Sequence, residues 1–238
     1  MSDKLTHPFP QSALIYEQLE RIGKCVSSAH RIEILDLLAQ GEKSVETLAA
    51  ESRLNVKNTS AHLRVLREAR LVEVRKAAQF NFYRLADDTV ASFVASLRDL
   101  AERRLAEVRE FSEEFLKGKE RLTAVDRRRL LERIRSGEVI VLDVRPPSEF
   151  DAGHIPGARS LPLAQLESAP QSIPKDQEIF AYCRGLYCGL SETAVDLLRK
   201  RGYRASRIHD SIVDWKDAGL PTARNAKPKH SRTSAKGA

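Results

Sequence analysis

The spacing of apolar residues changes along the chain and predicts two kinds of structure. Up to about residue 117, apolar positions mostly recur every three or four residues, as they do along the buried face of a helix. From residue 122 onward, short apolar runs of strand length alternate with amphipathic segments, which is typical of a parallel sheet covered by helices. The fold class that we predict is therefore a mainly α domain followed by an α/β domain.

Several short helices are predicted before Arg70. The first covers residues 12–27, the second ends at Gly41, and a short third begins at Ser44. Asn55 stands where the N-cap of a fourth helix is expected. Helical spacing turns three side chains of that fourth helix inward, namely Thr59, Leu63 and Leu66.

A hairpin and one long helix complete the first domain. Two β-prone runs, residues 71–75 and 80–85, are joined by a short polar link and predict the hairpin. Residues 89–117 predict a single helix, capped at Asp87-Asp88, whose apolar positions form one continuous stripe. Such a stripe favours packing against a second copy of the chain, although packing against its own domain is the alternative.

The second domain is predicted to begin with a basic helix. This helix covers residues 123–135 and leads into a strand over residues 139–143, the tightest apolar run of the chain. The remaining predicted elements are a short helix about Glu149, a strand over residues 179–182 and a helix over residues 190–201 that ends at Gly202.

Length and composition agree with two domains and exclude several classes of protein. The chain has 238 residues, of which 42% are hydrophobic, and three cysteines, so it is neither a disordered protein nor a disulfide scaffold. Since no apolar run approaches the length of a membrane span, we expect a cytoplasmic protein with no membrane partner. The expected boundaries are a flexible N-terminus (1–11), a first domain (12–117), a linker (118–122), a second domain (123–221) and a disordered basic tail (222–238).

Positive charge is concentrated in one internal segment. Residues 53–85 carry eight Lys and Arg side chains, and their only acids are Glu68 and Glu73. Clustering of this kind is typical of an element that contacts phosphates. From charge alone, a solvated basic face is the alternative.

The first domain resembles the ArsR family of winged helix-turn-helix repressors. The resemblance covers about residues 12–117 and rests on three stretches, Ala29–Leu35, Asn58–Ala69 and Tyr83–Leu85. It implies a winged-helix fold and a double-stranded DNA operator, and the apolar stripe of the helix at 89–117 favours a homodimer formed through that helix. The family usually has Gly where Arg70 and Ala78 stand, two turn positions at which Gly relieves a positive φ.

The chemistry of groove recognition points to the same segment. With one face of the fourth helix buried, its polar face is left for the major groove, where Asn pairs with adenine and Arg or Lys holds guanine or phosphate. The hairpin would contact the DNA backbone or the minor groove. The DNA-binding residues that we expect are Lys57, Asn58, Ser60, His62 and Arg64 on the helix and Arg75, Lys76, Gln79 and Asn81 on the hairpin.

The two familiar metal sites of this family are not expected here. The third helix, residues 45–52, has no Cys, and the long helix has no His, so each site lacks its ligands. Cys25 is the only thiol of the first domain, and we expect a buried apolar residue rather than a redox sensor. We therefore expect neither a metal nor a cofactor.

The second domain resembles the rhodanese family. The resemblance covers about residues 123–221 and rests on five motifs, Val141–Arg145, Glu149–Phe150, Gly153–Ala158, Tyr182–Gly185 and Gly219–Pro221. It implies an α/β fold with a parallel sheet and a sulfur-carrying nucleophile, Cys183. A His-Cys-x5-Arg phosphatase loop is excluded, because Tyr182 precedes the cysteine and Gly189 stands at the position of the arginine.

The position of Cys183 favours a reactive thiol. It follows a predicted parallel strand and precedes a helix, which is where ligands bind in such sheets. Backbone N–H groups of residues 184–188 and the helix dipole would stabilise a thiolate or a persulfide. We expect Arg184 to neutralise an anionic donor, and Asp143 and Arg145 to shape the pocket floor. The other loop residues are Gly185, Leu186, Tyr187 and Cys188.

Three departures from the rhodanese pattern leave the chemistry open. Cys188 stands where a second cation is usual, Gly189 where a hydroxyl is common, and Asp210-Ser211 where a Gly pair is usual, so thiosulfate would turn over slowly. Cys188 also offers a second route, in which it attacks a persulfide on Cys183, releases sulfide and leaves a disulfide.

Together these motifs predict a dimeric DNA-binding regulator that carries or senses sulfane sulfur on Cys183. The expected donor is thiosulfate or a persulfide, and by linkage DNA would alter the reactivity of the thiol. One alternative is a thiosulfate or persulfide sulfurtransferase that uses its first domain mainly to dimerise. Another is a rhodanese domain that serves only as an inert interaction module.

Overall fold

The structure, a computed structural model, divides into two compact units between Arg104 and Leu105. Each unit has its own hydrophobic core. None of the helices in the described ranges combines the length and the hydropathy that a membrane span requires. The residues that the structure describes are 10–116, 124–166 and 173–225.

The first unit is mainly α, as predicted. Its helices are α1 (Pro10–Cys25), α2 (Ala29–Ala39), α3 (Val45–Glu51), α4 (Val56–Glu68) and α5 (Asp88–Arg104). Its strands are β1 (Lys43–Ser44), β2 (Val72–Ala77) and β3 (Phe80–Leu85), all antiparallel in the order β1-β3-β2. The sequence predicts the hairpin of β2 and β3 but not β1, because two residues carry no pattern.

The start and the buried face of α4 agree with the sequence. The side-chain oxygen of Asn55 accepts a hydrogen bond from the backbone N–H of Asn58 at 2.8 Å, which caps the helix. Thr59, Leu63 and Leu66 are fully buried, and α4 packs on α2 and α3. The polar face of α4 is therefore left exposed.

The ArsR family, which the first domain resembles, usually has Gly at two turns. In this structure, both turns adopt the left-handed conformation. The φ angle is 61° at Arg70, just after α4, and 51° at Ala78, between β2 and β3. A residue with a Cβ in this conformation costs about 1–2 kcal/mol relative to ordinary backbone. The hairpin therefore has the expected turn geometry, although neither residue is Gly.

The prediction of one long helix over residues 89–117 is wrong. Helix α5 ends before Leu105, and a separate helix, α6 (Ala106–Leu116), follows. Neither Gly nor Pro marks the break, and the two helices differ in what they bury. Val90 of α5 lies in the core of the first unit, whereas α6 belongs to the second unit, where it buries Ser112. The apolar stripe is therefore divided between two units.

The second unit contains a parallel sheet with helices packed on it, which confirms the predicted α/β class. Besides α6, its helices are α7 (Ala124–Arg135), α8 (Pro147–Ala152), α9 (Leu163–Leu166), α10 (Leu190–Lys200) and α11 (Ile212–Asp217). Its strands are β4 (Val139–Asp143), β5 (Arg159–Ser160), β6 (Glu178–Tyr182) and β7 (Arg204–Arg207), in the order β5-β4-β6-β7. The short elements β5, β7, α9 and α11 are absent from the sequence prediction.

The segments expected to be flexible extend into described structure at their inner ends. Helix α1 begins at Pro10, and the side-chain amide of Asn225 donates to a carboxylate oxygen of Asp151 at 2.7 Å. The rest of these segments, residues 1–9 and 226–238, and the linker placed at 118–122 lie outside the described residues.

Candidate functional site

Cys183 lies at the carboxyl end of β6 and is fully buried. The segment that follows, residues 184–189, is called the thiol loop below, and it leads directly into α10. Strand β6 is one of the two central strands of the sheet. The thiol therefore occupies the edge where the carboxyl ends of parallel strands form a binding crevice, as the sequence predicts.

Several neighbours favour the ionised form of the Cys183 thiol. The hydroxyl of Ser191, in the first turn of α10, lies 3.1 Å from Sγ. Burial opposes ionisation, but hydrogen bonds from Cys188 and Ser191 and the positive charge of Arg207 outweigh it. Together they lower the pKa of Cys183 from its ordinary value of 9.0 to about 6. These neighbours therefore favour the thiolate of Cys183 over the neutral thiol.

Cys188 places a second thiol inside the same loop. Its side chain is hydrogen-bonded to Cys183, and the backbone N–H groups of Arg184 and Leu190 are directed at its sulfur. The hydrogen bond to Cys183, with burial, raises the pKa of Cys188 far above its ordinary value. The sequence predicts that the backbone N–H of Cys188 faces Cys183. In the structure, this N–H donates to the Gly185 carbonyl at 3.2 Å instead.

The cation that lowers the pKa of Cys183 is Arg207 rather than Arg184. The guanidinium of Arg184 binds the buried carboxylate of Glu149, with N–O distances of 2.5–3.1 Å. Nη2 of Arg207 donates to three carbonyls of the thiol loop at 2.7–3.1 Å. Nε and Nη1 of Arg207 are buried and have no hydrogen-bond partner among the described residues. Arg207 therefore anchors the loop and retains unused donors beside it.

Sequence reasoning missed both Arg207 and Ser191. Arg207 is brought to the loop only by the parallel pairing of β6 with β7, a strand too short to be predicted. Ser191 had a local signal: the family pattern has a hydroxyl at the position of Gly189, and Ser191 is the next hydroxyl along the chain. Its contact with Sγ shows that a hydroxyl reaches the thiol from a different position.

Asp143 and Arg145 form a fully buried ion pair at the end of β4. Arg145 donates to both carboxylate oxygens of Asp143 and to the carbonyl of Gly153, at 2.6–3.2 Å. The hydroxyl of Tyr182 donates to Asp143 at 2.5 Å, which ties β4 to the residue before Cys183. Burial disfavours the charge of Arg145, but its bonds to Asp143 outweigh burial and raise its pKa. This arrangement agrees with a supporting role under the crevice.

The thiol loop is held at two further points. Gly185 has a φ of +111°, and a Cβ there would lie 3.3 Å from Cβ of Ser211, so a side chain would be both strained and crowded. On the other side, the hydroxyl of Tyr187 lies 2.7 Å from Oγ of Ser112 in α6. Leu186 is buried. These contacts fix the loop within the second unit.

On α4, most of the predicted DNA-binding side chains are exposed, namely Lys57, Asn58, Ser60 and Arg64. His62 differs, because it is half-buried and its ring lies 5.7 Å from that of His30 in α2. Burial, with the nearby positive charges of Arg31 and His30, lowers the pKa of His62. Its ring is therefore mainly neutral at neutral pH and would act by hydrogen bonding rather than by charge.

On the hairpin, Lys76, Gln79 and Asn81 are exposed, whereas Arg75 is already engaged. The Arg75 guanidinium binds Glu42 at 2.7–3.1 Å and lies 5.2 Å from the ring centroid of Phe82. To contact a phosphate, Arg75 has to exchange Glu42 for it.

The third thiol is separate from this chemistry. Cys25 is buried in the core of the first unit, and burial raises its pKa. It is thus an apolar core residue, as expected. Within the described ranges, no group of three or more His, Cys, Asp or Glu side chains is arranged to hold a metal ion.

Comparison with known families finds a match in each unit. The rhodanese-like domain matches residues 126–218, and the bacterial regulatory protein arsR family matches residues 28–74.

Among curated proteins, the chain is similar to the HTH-type transcriptional regulator Rv0324 of Mycobacterium tuberculosis. The two are 38% identical over 220 residues, which cover 92% of this chain and 96% of that protein. A sulfurtransferase of Allochromatium vinosum is 33% identical over 99 residues, covering 41% of this chain and 91% of that protein.

Among solved structures, the chain is similar to the homodimeric winged helix-turn-helix DNA-binding domain of Mb0332 from Mycobacterium bovis. The sequence identity is 34% and the TM-score is 0.40. The match covers 43% of this chain and 95% of that chain.

Proposed function

This chain is a member of the arsR family of bacterial regulatory proteins with a rhodanese-like domain, a DNA-binding regulator, and on that premise we propose that sulfane sulfur on Cys183 controls its affinity for DNA. The observation that carries the proposal is the state of the thiol. Cys183 is buried at the crevice of the sheet, hydrogen-bonded to Ser191, with its pKa lowered to about 6. A thiolate stabilised in this way is the form of cysteine that attacks sulfur.

The reaction that fits this thiolate is the uptake of one sulfur atom. Sγ of Cys183 attacks the sulfane sulfur of thiosulfate or of a persulfide. A new S–S bond forms on Cys183, the donor's S–S bond breaks, and the donor leaves as sulfite or as a thiolate. The neighbours that stabilise the thiolate, first Cys188 and Ser191 and then Arg207, would also lie beside the persulfide that results.

The first unit would read DNA through the exposed face of α4. Asn58 is free to pair with a base edge, because only its backbone N–H is used by the Asn55 cap. Lys57, Ser60 and Arg64 are exposed beside it, and the hairpin residues Arg75, Lys76, Gln79 and Asn81 would contact the backbone or the minor groove.

The exposed apolar residues of α1 and α5 support a homodimer. Leu14, Ile15 and Leu19 of α1 are each about three-fifths exposed, and half of Leu100 in α5 is exposed. Monomers rarely leave such patches uncovered, and a second copy with the same patches would bury them by two-fold symmetry. Sedimentation velocity should show a dimer that Leu100→Lys dissociates. Since it is a bacterial DNA-binding regulator, we place the protein in the cytoplasm.

The proposal is tested by measuring DNA affinity with and without a sulfur donor. A duplex recovered by selection from random sequence is titrated with the full-length protein, before and after treatment with glutathione persulfide. We expect the donor to change the affinity of the wild type and of Cys25→Ala, which retains the reactive loop. If Cys183→Ser responds to the donor as strongly as the wild type does, the proposal is wrong.

A sulfurtransferase is the second candidate function, since a thiol with a pKa near 6 is also suited to catalytic turnover. Cyanolysis with thiosulfate as donor separates the two candidates. Fast turnover without any sequence preference on DNA favours the enzyme. Slow turnover together with a selected DNA sequence favours the regulator. Failure of Cys183 to gain a sulfur atom in a Cys188→Ser variant, measured by mass spectrometry, would instead indicate an inert module.

A further inference from the structure

We propose that Cys188 is a resolving residue, which attacks the persulfide on Cys183, releases hydrogen sulfide and closes a Cys183–Cys188 disulfide. This inference rests on the proposed loading of Cys183 and adds a second step to it. The loaded state of the protein would then be a disulfide rather than a stored persulfide.

The contact between the two thiols carries the proposal. Cys183 and Cys188 are hydrogen-bonded through their side chains, and the carbonyl of Cys188 lies 3.3 Å from Sγ of Cys183. Cys183 directly precedes the thiol loop and Cys188 lies within it, so only four residues separate the two cysteines along the chain. The remaining thiol of the chain, Cys25, is in the core of the other unit.

The two cysteines differ in ways that assign their roles. Cys183 has the lowered pKa and the hydrogen bond to Ser191, so it is the nucleophile that accepts sulfur from the donor. Cys188 is partly exposed and protonated, and its S–H is directed at Cys183. A loop built only to retain a persulfide would place a cation at this position to hold the outer sulfur. Here that position holds a second nucleophile instead of a cation.

The step balances without any added oxidant. The persulfide Cys183–S–S⁻ reacts with the thiol of Cys188, and the sulfur of Cys188 forms a bond to Sγ of Cys183. The bond between Sγ and the outer sulfur breaks, and the outer sulfur leaves as HS⁻, taking both bonding electrons and the proton of Cys188. The sulfane sulfur is reduced to sulfide, and the two cysteine sulfurs are oxidised to the disulfide.

Proton transfer is favoured by the resting arrangement. The proton of Cys188 already lies on the hydrogen bond to Cys183, beside the atom that carries the outer sulfur. Once Sγ has formed its bond to that sulfur, the negative charge moves outward onto the leaving group. The leaving sulfur then becomes the base that takes the proton, so Cys188 becomes a thiolate only as it attacks. Return to the resting state requires a cellular dithiol reductant.

The experiment uses the full-length protein and glutathione persulfide as donor, under anaerobic conditions. After removal of excess donor, the sulfide released from the protein and the intact mass are measured together. The wild type should release one sulfide per chain and lose the mass of two hydrogen atoms. Cys188→Ser, which preserves size and a hydrogen-bond donor, should instead keep one added sulfur on Cys183 and lose the sulfide release. Cys25→Ala is the matched control and should behave as the wild type.

The outcomes separate failure of this step from failure of the proposed function. If the wild type keeps the added sulfur and releases no sulfide, or if Cys188→Ser releases as much sulfide as the wild type, Cys188 is not the resolving residue, while loading stands. If Cys183 gains no sulfur even in Cys188→Ser and Cys188→Ala, loading itself is wrong, and the resolving step is overturned with it.

Discussion

The hydroxyl of Tyr187 lies 2.7 Å from Oγ of Ser112, and this hydrogen bond joins the thiol loop to α6. Since Ser112 directs its own proton to the carbonyl of Val108 at 2.9 Å, Tyr187 is the donor. Along the chain, only Leu105 separates α6 from α5 of the DNA-binding unit. A loop that changes shape when Cys183 reacts would therefore act first on the helix that leads back to that unit.

Replacing Tyr187 by Phe should weaken this link without emptying the space that the ring fills. Loss of the hydrogen bond should lower the free energy of unfolding of the second unit by about 0.5–1.5 kcal/mol in urea. It should also reduce the difference in DNA affinity with and without the persulfide donor. Tyr203→Phe, in the same unit beside β7, is the control. Equal effects of the two substitutions on the donor response would contradict a role for the Ser112 contact.

Arg207→Gln should raise the pKa of Cys183, because it removes a positive charge beside the thiolate and releases the loop carbonyls. Since Arg207 contributes less than Cys188 and Ser191, we expect a rise of at most about one unit, which reduces the thiolate fraction at pH 7 by up to about twofold. The rate of alkylation of Cys183 by iodoacetamide, followed by peptide mass spectrometry, measures this. Arg204→Gln, exposed on the same strand, should leave the rate unchanged. An unchanged rate in Arg207→Gln would show that Arg207 is only structural.

The pH dependence of Cys183 alkylation follows from the direction of its pKa shift. Because the folded protein stabilises the thiolate, the rate should rise as the pH increases through about 6 and level off above neutral pH. Cys188→Ala removes a hydrogen bond that favours the thiolate and should move this transition to higher pH. Cys188→Ser retains a donor and should move it less. A wild-type transition near 9 would mean that the loop does not activate the thiol.

Features that depend on neighbours along the chain could be predicted from the sequence. Local spacing predicts Asn55 as a helix cap, the inward face of α4 and the position of Cys183 after a strand. The structure shows all three features. The turns at Arg70 and Ala78 also have the expected backbone, because a hairpin and a helix end impose a positive φ whichever residue is present.

Features that depend on tertiary pairing could not be predicted. Arg207 reaches the thiol loop only through the register of β6 and β7, and the buried Glu149 takes up Arg184 only because α8 packs near the loop. The break at Leu105 has no Gly or Pro to mark it. On its two sides, α5 buries Val90 and Val94 in the first unit, whereas α6 buries Ser112 and leaves Phe111 exposed, a difference that periodicity does not reveal.

Asp143→Ala should destabilise the second unit strongly while leaving the chemistry of Cys183 in place. The substitution leaves the guanidinium of Arg145 buried without its carboxylate, a change that typically costs about 3–5 kcal/mol. Thermal unfolding measures the loss, and Asp196→Ala, exposed on α10, should show little of it. Below the unfolding transition, the pKa of Cys183 should stay near its wild-type value. A large shift in that pKa would instead assign Asp143 a direct role at the thiol.

Two substitutions on α4 should separate base recognition from phosphate contact. Asn58→Ala keeps the helix cap, which uses only the backbone N–H, and should cost about 1–3 kcal/mol of binding to the selected duplex while changing non-specific binding little. Lys57→Ala should weaken binding to all sequences and reduce the dependence of log affinity on log salt by about one. Lys24→Ala, exposed on α1 and paired with Glu20, is the control for loss of a positive charge in the same unit. Fluorescence anisotropy over a range of salt concentrations measures all three. If Lys24→Ala lowers affinity as much as Lys57→Ala does, binding follows net charge, and α4 is not the element that contacts DNA.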